Sequence, residues 1–201
     1  MKKRVAITGH TDGIGKNIYN TLKKSKQYLV SGYSLDNDYN IEDSQKIINA
    51  CIDDDIFINN AFDGWSQVDL LYKLYTKWQD QNKTIINIGS VTSDTKNPVI
   101  ERYQIQKKAL ENACKQLQPL GKCKVTNIKL GWVDSPMMDP WLKKADLPKD
   151  FKILKPKNVS EIILYILNQP KNICIKEIAI EPWPSRVLFN QYNPTAKGWL
   201  E

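Results

Sequence analysis

Residues 83–110 have the sequence KTIINIGSVTSDTKNPVIERYQIQKKAL, in which a strand pattern is followed by a helix pattern. Residues 84–88 are mostly β-branched, which is typical of a fully buried strand. Ser90 follows at the end of this strand, and the pattern favours a helix from about residue 101. Tyr103 and Lys107 lie four residues apart, so the phenol and the ammonium share one face of that helix.

A serine hydroxyl at a strand end, facing a tyrosine–lysine pair, suits the reduction of a carbonyl or the oxidation of an alcohol. The lysine cation favours the phenolate and lowers the tyrosine pKa from about 10 toward the range of a general acid or base. The spacing alone is weak evidence, because Tyr19 and Lys23 repeat it and a solvated helix face explains an isolated match. Only Tyr103 has a serine, Ser90, thirteen residues before it at the end of an apolar strand.

A second motif follows the first predicted strand, residues 5–8. It has the pattern T-G-x-x-x-G-x-G and leads into a helix. Glycines at such a turn allow a pyrophosphate to approach closely, and its charge meets the helix N-terminus. A glycine-rich turn without a ligand is the alternative, but the position after the first strand favours a dinucleotide site. The predicted contacts in this loop are Gly9, Thr11, Asp12, Gly13, Ile14 and Gly15.

Composition excludes several classes of function. The chain has 201 residues, 41% of them hydrophobic and 25% charged, as in a soluble globular protein of one domain. No apolar run reaches the roughly 18 residues that span a membrane. The net charge of +7 comes from scattered lysines, which does not indicate nucleic-acid binding. Four cysteines without a C-x-x-C motif and a single histidine predict no metal site, reduced thiols and a cytoplasmic location.

Strand and helix patterns alternate along the chain. They predict a single-domain α/β protein, residues 1–201, with a Rossmann-type doubly wound parallel sheet and helices on both faces. Residues 138–157 are predicted to be a substrate loop, and residues 182–201 a C-terminal tail. Further strands are predicted at 28–31, 55–61, 125–129 and 173–180, and helices at 43–50, 65–79, 101–118 and 158–168. Asn158 or Ser160 is expected to cap the last helix.

Five motifs stand in an order that resembles the short-chain dehydrogenase/reductase family. They are TGHTDGIG after the first strand, INNA at the fourth, NIGS at the fifth, YQIQK on the next helix and LGWVDSPM after the sixth strand. The resemblance implies that Ser90 bonds the substrate oxygen, Tyr103 exchanges its proton, and Lys107 lowers the tyrosine pKa and holds the cofactor ribose. It also implies cofactor contacts at Asn60, Ala61, Lys107, Gly131, Val133 and Ser135.

The end of the second predicted strand bears on the choice of cofactor. An NAD enzyme usually has a carboxylate there, whereas this chain has Ser34, whose hydroxyl is compatible with a 2′-phosphate. We therefore expect NADP(H) in preference to NAD(H), although no arginine is present and aspartates lie nearby. A short polar connection replaces a full crossover helix, and Asn40 and Ile41 in it are expected to approach the adenine.

The chain departs from the family pattern at several positions. Phe62 replaces a glycine, and the helix at 65–79 lacks the family's catalytic asparagine; Asp69 is the nearest candidate and Gln67 another. These departures leave alternatives to a dehydrogenase acting on a small alcohol or carbonyl compound: a dinucleotide-binding regulatory module with little turnover, or an interaction protein without a nucleotide. Family members commonly pair through the helices at 65–79 and 101–118, which predicts a homodimer or homotetramer.

Overall fold

A computed structural model describes residues 1–94, 102–145 and 147–184 of the chain. The predicted tail lies outside the described residues from position 185 onward. The strands are β1 (Lys3–Thr8), β2 (Tyr28–Tyr33), β3 (Ile56–Asn59), β4 (Thr84–Ser90), β5 (Lys124–Leu130) and β6 (Glu177–Ile180). The α-helices are α1 (Gly13–Lys24), α2 (Ser44–Cys51), α3 (Ser66–Trp78), α4 (Arg102–Leu117), α5 (Asp139–Leu142) and α6 (Pro156–Leu167).

The six strands form one parallel sheet in the order β2-β1-β3-β4-β5-β6. The predicted α/β class and parallel sheet are confirmed. The chain moves outward from β1 to β2 and then crosses to β3 on the other side of β1. The carboxyl ends of β1 and β3 therefore form a topological switch point, where parallel α/β sheets bind their ligands.

The apolar residues of the central strands alternate between the two faces of the sheet, and each face is covered by helices. One buried cluster includes Phe57 and Ile85 and packs under α2, α3 and α4. The other includes Ile58 and Ile86 and packs under α1 and α6. The side chain of Ser160 on α6 donates a 2.7 Å hydrogen bond to Asn17 on α1, which joins these two helices on the same face of the sheet.

The strand numbering expected from the family motifs was wrong by one. INNA lies at β3 rather than at a fourth strand, NIGS lies in β4, and LGWVDSPM follows β5. The cause is the short segment between β2 and α2, which forms a single 3₁₀ turn, Leu35–Asn37, and adds no strand. As a result β2 is an edge of the sheet.

Two element boundaries also differ from expectation. Helix α6 begins at Pro156, because proline suits the first helical position and Asn158 accepts a 2.9 Å bond from the backbone of Lys155. Neither Asn158 nor Ser160 is therefore the cap residue itself. The last strand begins only at residue 177. Within the predicted substrate loop, the described residues include the short helix α5 and a bridge between Val133 and Leu154.

Candidate active site

The glycine loop after β1 has no room for larger side chains. Gly9 has φ +67°, a left-handed conformation that favours glycine. A Cβ atom at Gly15 would lie 1.9 Å from the carbonyl oxygen of Gly9 and 2.6 Å from Nδ2 of Asn60. The side chain of Asp12 caps α1 by accepting a 2.7 Å bond from the backbone N–H of Gly13. This loop is a cradle with exposed backbone at a helix N-terminus, which fits the approach of a pyrophosphate.

The ends of β1 and β3 are joined by side-chain hydrogen bonds. The hydroxyl of Thr8 accepts bonds of 3.0 Å from the backbone N–H groups of both Asn60 and Ala61. The Asn60 amide in turn donates to the carbonyl oxygens of Thr8, at 2.9 Å, and Gly9, at 3.2 Å. These bonds fix the first turn of the loop against the central strand. No motif identified Thr8 as a contributor, although it is the threonine of the T-G pattern.

Lys107 on α4 lies under the predicted catalytic tyrosine. Its side chain is buried, and Nζ donates to Oε1 of Gln67 at 2.8 Å and to the carbonyl oxygen of Ile88 at 2.9 Å. Nζ lies 5.5 Å from the centroid of the Tyr103 ring and 4.7 Å from that of Phe62. Burial lowers the pKa of Lys107 to about 7. Burial thus weakens the preference of this lysine for its charged form.

Ser90 ends β4 in a buried position. Its Oγ accepts a 2.9 Å bond from the hydroxyl of Thr92 and donates a 3.4 Å bond to the carbonyl oxygen of Leu130. The long second bond leaves the Ser90 proton weakly held, so it can turn toward an oxygen in the adjoining cavity.

One cavity of about 450 Å³ joins the glycine loop to these side chains. It runs along the carboxyl ends of β1, β3, β4 and β5, and its described lining carries one acidic side chain, Asp12, and one basic side chain, Lys107. Apolar side chains border the rest, including Trp132, Met137 and Trp141. The predicted site residues that line it are Gly9, Asp12, Gly13, Ile14, Gly15, Asn60, Ala61, Ser90, Tyr103, Lys107, Gly131, Val133 and Ser135.

Several known proteins resemble this chain in sequence or in fold. No protein-family model matches the chain. It is 26% identical to an uncharacterized oxidoreductase of Staphylococcus aureus strain N315 over 229 aligned positions, which cover 90% of this chain and 97% of the relative. A solved 4-hydroxyisoleucine dehydrogenase complexed with NADH superimposes with a TM-score of 0.72 and 18% identity, covering 92% of this chain and 99% of that one. A small-chain dehydrogenase in complex with NADPH gives a TM-score of 0.70 and 17% identity, covering 90% and 97%.

The fold is that of the short-chain dehydrogenases/reductases. The resemblance inferred from the five motifs is confirmed at this level. The doubly wound sheet of such folds has the strand order 3-2-1-4-5-6. Among the described residues, the sheet keeps this order without a strand outside β2, and β6 adds a further strand at the opposite edge.

Four of the predicted cofactor contacts lie outside the cavity of this short-chain dehydrogenase/reductase fold: Thr11, Ser34, Asn40 and Ile41. The Ser34 hydroxyl donates to the side chain of Asn37 at 3.3 Å, so it is held by its own turn. Asn40 bonds Glu42, and Ile41 is buried in the apolar cluster under α2 and α3. Their expected approach to an adenine remains a prediction that the cavity does not support.

Gln67, rather than Asp69, is the residue of α3 that contacts Lys107 in this fold. Asp69 lies on another face of the helix, where it accepts bonds from Lys73 at 2.6 Å and from Ser44 at 3.4 Å. Residues two positions apart in an α-helix are separated by about 200° around its axis, so Gln67 and Asp69 cannot both face the sheet. The buried residues Leu70 and Leu71 lie three and four positions after Gln67, and this spacing could have identified the inward-facing residue from the sequence.

Phe62 fills part of the space over the predicted catalytic pair. Its ring meets that of Tyr103 edge-on, with centroids 5.0 Å apart, and also covers Nζ of Lys107. The sequence identified Phe62 only as a departure from the family glycine. Its position against two predicted catalytic side chains follows from the direction in which the chain leaves β3.

Proposed function

We propose that the chain is an NAD(P)(H)-dependent oxidoreductase which interconverts a small alcohol and its ketone or aldehyde, with Tyr103 as general acid and base. The observation that carries the proposal is the continuity of one cavity from the glycine loop to Ser90, Tyr103 and Lys107. The Staphylococcus aureus relative is described as an oxidoreductase, and the two solved neighbours are dehydrogenases bound to NADPH and NADH.

The residues along the cavity fit a nicotinamide dinucleotide. The backbone of Gly9, Gly13 and Gly15 at the start of α1 would hold the pyrophosphate, since a Cβ atom there would fill the cradle. Lys107 would bond the ribose hydroxyls, and Gly131, Val133 and Ser135 would hold the carboxamide. The bound nicotinamide would supply or accept the hydride.

Each predicted catalytic side chain has a distinct task. In reduction, Ser90 donates its proton in a hydrogen bond to the substrate oxygen and leaves its weak bond to Leu130. Tyr103 transfers its phenolic proton to the same oxygen, and in oxidation it takes that proton back. The Lys107 ammonium stabilises the phenolate by its charge from beneath the ring. The apolar side chains that border the cavity would limit the access of bulk water to the reacting atoms once cofactor and substrate are bound.

We extend the proposal to a preference for NADP(H) over NAD(H). Its support is the absence of a carboxylate at the end of β2, where Ser34 stands.

We also propose that the protein forms a homo-oligomer through the outer faces of α3 and α4. Trp65 and Tyr72 are exposed there, by 55% and 38%, as the sequence predicted for a monomer, and Ile105 on α4 is 59% exposed. A monomeric mass by sedimentation at micromolar concentration would contradict the proposed homo-oligomer.

A second candidate is a dinucleotide-binding regulatory protein with little turnover. The specific observation in its favour is Phe62, whose ring occupies space over both Lys107 and Tyr103. This candidate differs from the enzyme in one measurable property, because it would bind a nicotinamide dinucleotide without transferring hydride to any carbonyl compound.

The test is the substitution Tyr103→Phe, assayed by oxidation of NADPH with a panel of small ketones and aldehydes. We expect turnover to fall by roughly 10²- to 10⁴-fold, because the proton donor is lost while the ring is kept. The dissociation constant for NADPH should change little. Tyr19→Phe is the matched control, since Tyr19 has the same spacing to a lysine, with Lys23 Nζ 3.4 Å from its hydroxyl, outside the cavity.

Undiminished turnover in Tyr103→Phe would refute the role of the tyrosine. If the unmodified protein binds NADPH but reduces nothing on the panel, the regulatory candidate replaces the enzyme.

A further inference from the structure

Gln67 reaches from α3 into the space between the sheet and α4. Gln67 is 2% exposed, and its side chain uses three of its four hydrogen-bonding positions. Oε1 accepts from Nζ of Lys107 at 2.8 Å, while Nε2 donates to the carbonyl oxygen of Asn59 at 2.7 Å and to that of Ile88 at 3.1 Å. Lys107 and Gln67 thus share the carbonyl of Ile88 as a common acceptor.

The orientation of this amide is fixed by what surrounds it. Carbonyl oxygens only accept hydrogen bonds, so both N–H bonds of the amide must point toward Asn59 and Ile88. Rotating the amide by a half-turn would place its oxygen against these two carbonyls and its N–H groups against the lysine ammonium. Every contact would then be repulsive. Gln67 therefore presents an acceptor, and not a donor, to Lys107.

Asn59, the first of three buried asparagines, bonds the backbone of Gln67. Asn59, Asn87 and Asn127 stand side by side on β3, β4 and β5, each no more than 1% exposed. The Asn59 amide donates to the backbone oxygen of Gln67 and to the side chain of Asn87, both at 2.9 Å, and Asn87 continues to the carbonyl of Thr126 at 3.3 Å. The bonds from Asn59 to Gln67 and Asn87 therefore tie the start of α3 to β3 and β4.

We propose that Gln67 is a positioning residue that fixes the Lys107 ammonium at the inner wall of the cavity and stabilises its charged form. The amide acts on the lysine alone and does not touch the reacting atoms. The inference rests on the proposed function only in giving Lys107 a catalytic role; the contact between the two side chains is independent of it.

Few of the described groups around Lys107 stabilise its ammonium, so the bond to Gln67 affects the pKa of the lysine. Burial alone accounts for the lowered pKa, and no carboxylate among the described residues offsets it. The groups that face Nζ are the Gln67 amide from α3, the Ile88 carbonyl from β4, the ring of Phe62 and the titratable ring of Tyr103. Removing the neutral acceptor leaves the ammonium with one carbonyl, which should lower the pKa of Lys107 further, by about one.

The experiment measures the charge of Lys107 directly in the cofactor-free full-length protein. Lysine Cε carbons are labelled with carbon-13, and their chemical shifts are followed by NMR as the pH is raised. The Lys107 signal is identified by its absence from the Lys107→Arg variant. In the unmodified protein its titration midpoint should lie near pH 7, well below that of solvated lysines.

Two substitutions should move this midpoint in opposite directions. Gln67→Met keeps the shape but removes the acceptor, and should lower the midpoint by about one pH unit. Gln67→Glu places one carboxylate oxygen beside the ammonium and should raise the midpoint by one unit or more, at a cost in stability because its other oxygen faces the carbonyls of Asn59 and Ile88. Gln67→Glu also serves if Gln67→Met fails to fold. Gln118→Met is the matched control, because the amide of Gln118 likewise donates to two backbone carbonyls, those of Val125 and Lys176, away from the cavity.

An unchanged Lys107 midpoint in either folded variant would overturn the proposal and reduce Gln67 to a packing residue. Because no cofactor or substrate is present, this result does not depend on turnover. A protein that proves inactive can still show the predicted titration, and an active one can fail to show it.

Discussion

Glu111 should connect the acid stability of the protein to the geometry of its site. Its carboxylate is 1% exposed, although it lies on α4. It accepts a 2.6 Å bond from the hydroxyl of Ser93, a 3.1 Å bond from Lys108 and a further bond from Lys115. Because Ser93 belongs to the turn that follows Ser90, this carboxylate holds the end of β4 against the helix that carries Tyr103.

The size of the effect follows from the pKa of Glu111. Burial by itself raises this pKa, but the hydrogen bonds from Lys115, Ser93 and Lys108 outweigh burial and lower it from 4.5 to about 2. A lowered pKa in the folded state stabilises the protein above the unfolded pKa, and the stabilisation is lost as pH falls toward the folded value. The contribution is about 3 kcal/mol at pH 7, of which about 2 kcal/mol should be lost by pH 3.

The assay is urea denaturation of the unmodified protein and of Glu111→Gln between pH 7 and pH 3. The variant should be less stable at pH 7 by about 2 to 3 kcal/mol. The other carboxylates titrate in both proteins, so their effect cancels in the difference between the two free energies of unfolding. This difference should shrink to about 1 kcal/mol at pH 3. Glu161→Gln is the control, because Glu161 and its partner Lys157 are 57% and 78% exposed and should contribute under about 0.5 kcal/mol.

A difference between the unmodified protein and Glu111→Gln that stays constant across this pH range would refute the reasoning. It would show that Glu111 stabilises the protein by packing and not through its ionised form.

Two further predictions concern glycines that face other atoms at short range. Gly15→Ala should weaken the binding of NADPH by more than tenfold, because the new Cβ would overlap the Gly9 carbonyl and displace the loop. Gly64→Ala is the control, because its Cβ would come no closer than 3.8 Å to the atoms around it. This variant should leave the dissociation constant unchanged despite its strained φ. Gly89→Ala should lower the free energy of unfolding by about 1 to 3 kcal/mol, because its Cβ would lie 2.4 Å from Oδ1 of the buried Asn127; equal melting temperatures for this variant and the unmodified protein would contradict it.

The sequence predicted the framework because the framework depends on local patterns. The β-branched run at 84–88 became β4, and the amphipathic segments at 65–79 and 101–118 match α3 and α4 to within about a residue wherever the chain is described. The cavity likewise brings Ser90, Tyr103 and Lys107 together at the carboxyl ends of the strands. Strand ends and helix faces are fixed by spacing along the chain, so such groupings can be anticipated.

The features that were missed depend on register between distant strands. Asn59, Asn87 and Asn127 each interrupt an apolar strand, but only the pairing of β3, β4 and β5 places them side by side. The bond from Ser93 to Glu111 also forms only after α4 packs against the turn that follows β4, whereas the bonds from Lys108 and Lys115 lie within α4 itself. The described sheet has no strand outside β2, and the sequence did not reveal this because the family's strand numbering does not allow for the shorter connection after β2.

In the part of the chain that the structure describes, no helix is long and apolar enough to cross a membrane. Among the same residues, no group of three or more histidine, cysteine or acidic side chains could hold a metal ion. The proposed chemistry requires neither a membrane-spanning helix nor a metal ion.

The binding of NADPH and NADH to the purified protein tests the central claim most directly. Trp132 borders the cavity and is 6% exposed, so energy transfer from tryptophan to the reduced nicotinamide reports occupancy. We expect saturable transfer with a dissociation constant between about 1 μM and 1 mM, tighter for NADPH than for NADH. Tighter binding of NADH would reverse the proposed preference and leave the site intact. No transfer with either cofactor at millimolar concentration would contradict the assignment of the cavity as a dinucleotide site.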